Sequence, residues 1–135
     1  MIVKRDIDLS ETNVATYLSE IEDCTSEWTF SEETFDYIHA RWLVGSIADW
    51  TALYKEAFKA LKPGGWLETH EPSTDIVSQD DTVSPQTALG QWGMIFVEGG
   101  RKLGRSFDIV KPQLQRKAME EAGFVDIQEV DLTVR

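Results

Sequence analysis

Phe35-Asp36-Tyr37-Ile38-His39-Ala40-Arg41 and, beyond a helical interval, Leu61-Lys62-Pro63-Gly64-Gly65-Trp66-Leu67-Glu68 decide the fold of this chain. Tyr37-Ile38 is a short apolar run bounded by Asp36 and His39, which predicts a buried parallel strand. In the interval, Trp50, Leu53, Tyr54, Ala57, Phe58 and Leu61 recur every three or four residues and form one stripe of a helix. Asp49 is placed to cap its start, and Pro63-Gly64-Gly65 ends it. Trp66-Leu67-Glu68-Thr69 is then the next strand. A strand, a crossover helix and a second strand make a parallel pair, so the fold class is α/β.

Outward from this unit the signals weaken. Residues 72–85, from Pro72 to Pro85, are rich in Ser, Thr and Asp and read as a surface loop. A second helix carries Ala88, Leu89, Trp92, Phe96 and Leu103 on one side. Gly90, Gly93, Gly99, Gly100 and Gly104 lower its intrinsic helicity, and are expected either to allow close packing or to break it before Arg105. A third helix spans Gln113 to Ala122 and closes at Gly123. Phe124 to Val134 reads as a last strand, with a parity change near Gln128-Glu129. Before residue 35, Ile2-Val3 with Ile7 to Ser10, and Val14 to Leu18, suggest short strands; Glu20 to Ser26 reads as a loop.

At 135 residues the chain is expected to form one domain, residues 1–135. Its net charge of −11, without a basic run, argues against nucleic acid or anionic lipid and leaves a small organic molecule as the expected ligand. No apolar stretch has the length of a membrane span, and charges at Lys4, Arg5 and Asp6 interrupt any secretory leader. Cys24 is the only cysteine, so a cytoplasmic protein without an internal disulfide is expected.

In an open parallel sheet, ligands bind beyond the carboxyl ends of the strands. The two successive strands end in His39-Ala40-Arg41 and in Thr69-His70-Glu71, and these are the chain's two histidines. His39 and His70 are candidate acid–base catalysts, with Glu71 as orienter or second base and Arg41 as a polarising group. The alternative for each histidine is a strand cap or a solvated loop residue. Adjacent His and Glu on a loop are not a metal-ligand spacing, so no metal is expected. Trp28, Trp42 and Trp92 are candidates to line an apolar pocket, against core packing as the alternative. Cys24 lacks a neighbouring base and reads as a small hydrophobe. The Gly99 to Gly104 cluster ends a helix instead of opening one, so it is not a phosphate loop.

Several blocks resemble the class I S-adenosylmethionine (SAM)-dependent methyltransferases, specifically the LaeA-like class of fungal secondary metabolism. They include Ile7-Asp8-Leu9-Ser10, Ile21 to Cys24, Glu27 to Phe30, Phe35 to Arg41, Leu61 to Glu68, Phe96 to Phe107 and Met119 to Val125. The resemblance implies an incomplete Rossmann-like sheet with flanking helices. It implies that Asp8 would hold the ribose of SAM and that Asp23, beside Cys24, would meet the adenine. His39-Ala40-Arg41 would lie beside the methionine moiety, and His70 would face the methyl acceptor.

The family's first strand and its glycine-rich loop have no counterpart in the sequence. That leaves the backbone edge at Tyr37-Ile38 in need of cover by a rearranged N-terminal strand or by another subunit, and a homodimer through this edge is expected. A small-molecule cyclase or isomerase working without SAM or another cofactor is the leading expectation. A SAM-dependent methyltransferase completed by a partner or swapped segment, and a non-catalytic regulatory or scaffold subunit, are the alternatives.

Overall fold

The structure, a computed structural model, describes residues 23–132. The expected strands between residues 2 and 18, and Asp8 with them, lie outside the described residues. In chain order the elements are β1 (Phe35–Arg41), α1 (Trp50–Ala60), β2 (Leu61–His70), α2 (Ala88–Leu103) and α3 (Leu114–Ala122). β1 and β2 form a parallel two-stranded sheet, with no further strand among the described residues. This is an incomplete α/β, Rossmann-like arrangement.

α1 begins where its sequence says it should. The Asp49 carboxylate accepts the N–H of Ala52 at 2.9 Å, satisfying one of the donors a helix start leaves over. Its stripe buries Trp50, Leu53, Tyr54 and Ala57 against the sheet and α3, which contributes Ala118 and Met119. Phe58 stays half exposed and packs edge-on against Phe124, ring centres 5.1 Å apart.

The helix stops at Ala60, one residue short of the expected stripe, and Leu61 already belongs to β2. Lys62 to Gly65 then bulge out of the ladder, because Phe35 pairs with Leu61 but Tyr37 with Trp66. Lys62 anchors the bulge by bonding both carboxylate oxygens of Asp36, at 2.9 and 2.8 Å.

α2 runs unbroken through its glycines. Three of them are sites of close approach: a Cβ on Gly90 would lie 1.9 Å from the carbonyl oxygen of Ser84, one on Gly93 2.6 Å from that of Thr74, and one on Gly100 2.5 Å from the Phe107 ring. Leu89, Trp92, Ile95 and Leu103 of this helix stay exposed.

The expected last strand is absent over the described part of its range, 124–132. Asp126 takes a left-handed φ of 55° and breaks the alternation a strand needs. The segment is held instead by Phe124 on Phe58 and by Arg116, which donates to the Ile127 carbonyl at 3.1 Å. No described helix is long and apolar enough to cross a membrane.

Candidate functional site

Two structures meet at the carboxyl end of β1. The first is a cavity of about 340 Å³ bordered by Cys24, Trp28, Ile38 through Arg41, and Tyr54 of α1. Successive strand residues point to opposite faces. A cavity bordered by four in a row therefore follows the strand's outer edge and tip. The volume is at the lower end for a small-molecule site. Trp28 is fixed twice: its backbone N–H donates to Glu56 at 3.0 Å and its indole N–H to the Cys24 carbonyl at 3.2 Å. It is both core and cavity wall. Burial, and next the charge of Asp23, push the Cys24 thiol up, so it is a poor nucleophile.

Asp23 precedes Cys24 in the chain, is exposed, and is not among the residues that border the cavity. Its carboxylate accepts the Thr25 hydroxyl at 2.7 Å and the Thr25 N–H at 2.9 Å. Those two bonds, the hydroxyl first, hold it below the usual carboxylate range. Both engage the same oxygen, Oδ1. An apolar wall with an ionised acceptor beside it fits a flat purine with an exocyclic amine, the chemistry expected of the donor's adenine.

The second structure is the turn after β1. Trp42 has a left-handed φ of 58°, and three successive backbone N–H groups converge on the end of β2. Trp42 donates to the His70 carbonyl at 3.1 Å, while Leu43 and Val44 donate to the Glu71 carboxylate at 2.9 and 2.8 Å. Glu71 thus ties one loop to the other, and its partners here are backbone groups rather than a histidine.

The carboxylate that does meet a histidine is Glu68. Tyr37, His39 and Arg41 share the open face of the sheet with Trp66, Glu68 and His70, opposed pairwise by the register. Glu68 accepts the Tyr37 hydroxyl and lies 3.1 Å from His39 Nδ1. Tyr37 and then His39 lower the Glu68 carboxyl, while the bond to Glu68 raises the Tyr37 hydroxyl.

His39, Arg41 and His70 are therefore brought together on one face, and Cys24 and Trp28 on one cavity. Trp42 is exposed at the turn and Trp92 half exposed on α2, both apart from the cavity. Tyr37 and Glu68 were missed from sequence. Their signal was the alternation Tyr37-x-His39-x-Arg41 and Trp66-x-Glu68-x-His70, which the register alone brings face to face.

A methyltransferase-domain family profile matches residues 3–129. The chain belongs to this methyltransferase family. It is 36% identical over 113 residues to the probable methyltransferase tdiE of Emericella nidulans, covering 84% of this chain and 34% of that protein. It is 33% identical over 104 residues to the methyltransferase pytC of Aspergillus terreus, covering 77% of the chain and 31% of pytC. It is 34% identical over 113 residues to the secondary metabolism regulator LAE1 of Cochliobolus heterostrophus, covering 83% of the chain and 36% of LAE1. The chain thus spans about a third of the length of these relatives, and it is methyltransferase-like in the fungal secondary-metabolism class.

Proposed function

We propose that the chain is the donor- and acceptor-facing part of a SAM-dependent methyltransferase acting on a small secondary metabolite. The observation that carries this is the cavity at the tip of β1, where Trp28, Cys24 and His39 to Arg41 border one space, with ionised Asp23 next to Cys24 in the chain. Family membership favours methyl transfer over the cofactor-free cyclisation expected from sequence. Trp28 and Asp23 would hold the adenine, with Asp8 at the ribose. Bound there, SAM supplies an electrophilic methyl group. The protein's own contribution is to position the acceptor, exclude water through its apolar wall and take up a proton at the open face.

A second reading, isomerisation or cyclisation without a donor, is favoured by the His39–Glu68 pair, whose chemistry needs no SAM. Calorimetric titration of the folded chain with SAM and S-adenosylhomocysteine separates the two. Micromolar binding that Trp28→Ala and Asp23→Ala weaken supports the donor reading. A folded chain that takes up neither ligand at millimolar concentration overturns it in favour of the second.

A further inference from the structure

We propose that Tyr37, Glu68 and His39 form a proton-accepting site on the open face of the sheet, with His39 Nε2 as the base and a flat, hydroxyl-bearing aromatic molecule as its ligand. This deepens the small-molecule reading above and needs no methyl donor.

Counting hydrogens fixes the arrangement. An ionised carboxylate only accepts, and a tyrosine hydroxyl has one proton to give. Tyr37 gives its proton to Glu68, so nothing remains for His39 Nδ1, 3.3 Å from the Tyr37 oxygen. The His39 nitrogen 3.1 Å from Glu68 Oε2 must then carry its own hydrogen. A neutral imidazole protonated at Nδ1 leaves Nε2 as a bare lone pair. Among the described residues, Nε2 has no hydrogen-bond partner. When Nε2 takes a proton, the imidazolium is already opposite a carboxylate. Glu68 is a positioning residue, and Tyr37 holds Glu68.

The surroundings choose the ligand. Trp66 and Tyr37 are paired across the ladder and 61% and 51% exposed, so two aromatic side chains form an exposed shelf on the same face as the base. The Tyr37 and His39 rings are within 28° of parallel with centres 6.3 Å apart. An aromatic ring laid on this shelf can reach Nε2 with a ring hydroxyl. Arg41, the next residue on the same face, supplies positive charge for the oxygen left behind. In the step, the ligand's O–H bond breaks, the electron pair stays on oxygen, and the proton joins Nε2 and then passes to water.

The test uses the whole chain. Nitrogen NMR reads the tautomer of His39, assigned by its loss in His39→Gln, since the chain has only two histidines. The expected result is an Nδ1–H tautomer that Glu68→Ala abolishes and Glu68→Gln retains, because an amide oxygen still accepts. With 4-nitrophenol as probe, the protein should raise the phenolate absorption band at a pH where the free phenol is mostly neutral. Glu68→Ala should weaken that binding about tenfold, the scale of one charge-assisted bond, and His39→Gln should abolish it. An Nε2–H tautomer in the unaltered protein, or an equal phenolate band in His39→Gln, overturns the proposal and leaves an ordinary cross-strand surface pair. Failure of SAM binding alone leaves it standing.

Discussion

The side-chain nitrogen of Gln115 donates one hydrogen to Thr69 at 2.6 Å and the other to the Tyr54 hydroxyl at 3.0 Å, so a single amide on α3 holds β2 and α1 together. Tyr54 is fully buried there. Burial is the main cause that pushes its hydroxyl up to about 12, against the hydrogen bonds from Thr69 and Gln115. A tyrosine whose folded value lies above its unfolded value near 10 stabilises the fold fully below that pH. The contribution is lost as pH rises through the folded value. The chain should therefore lose on the order of 2 kcal/mol of stability between about pH 10 and about pH 12. Urea unfolding across that range measures it, and Tyr54→Phe should flatten the slope.

Glu71 should be worth more to stability than to proton transfer. Glu71→Ala strands the N–H groups of Leu43 and Val44, at about 1–3 kcal/mol for a half-buried pair. Hydrogen exchange at those two amides should accelerate while exchange at Leu53 is unchanged. Unaltered protection at both amides would refute the assignment.

The start of α1 offers a smaller, cleaner change. Asp49→Ala removes the bond to the Ala52 N–H and should cost about 1 kcal/mol. Asp49→Asn or Asp49→Ser should restore most of it, read from the denaturation midpoint at constant slope.

Phe107 makes a case for coupled substitutions. A Cβ at Gly45, whose φ is +75°, would meet the Phe107 ring at 2.1 Å. Gly45→Ala is expected to cost at least ~2 kcal/mol from overpacking and backbone strain together. Adding Phe107→Leu should recover the packing share and leave the backbone share, so the pair will be non-additive. Strict additivity would show that the ring does not rest on Gly45.

The outer edge of β1 pairs with no strand among the described residues. Unpaired strand edges invite pairing with another chain, and we expect two copies to associate there. Sedimentation should return twice the mass of one chain, and Ile38→Lys should return it to monomer. A monomer at high concentration in the unaltered protein would exclude this association.

The β1–α1–β2 unit was legible because its signals are local. Asp49 and the Trp50 to Ala57 stripe each act within a few residues of themselves, whereas Pro63-Gly64-Gly65, expected to end the helix, lies inside β2. The same locality explains two misreadings. Leu61 continues the helical spacing of α1, but its N–H closes on the Ala57 carbonyl while its backbone turns extended, so the spacing overshoots the helix by one residue. The run from Phe124 reads as a strand with one parity change near Gln128-Glu129, and the left-handed turn at Asp126 has no composition signature. At the site, the rim histidines could be seen in sequence, but their partner could not. Glu68 and Glu71 sit three residues apart on one strand end, and only the register with β1 sends one to an imidazole and the other to backbone amides.

The three converging amides of Trp42, Leu43 and Val44 have a consequence for selectivity. Successive N–H groups that point into one concavity are a general device for gripping phosphate. Here two of them are held by Glu71 and the third by a carbonyl, so a phosphorylated nucleotide arriving at this rim finds no free donor in the turn and a like charge in its place. The turn therefore offers an arriving phosphate no free backbone donor, because Glu71 and the His70 carbonyl already occupy all three.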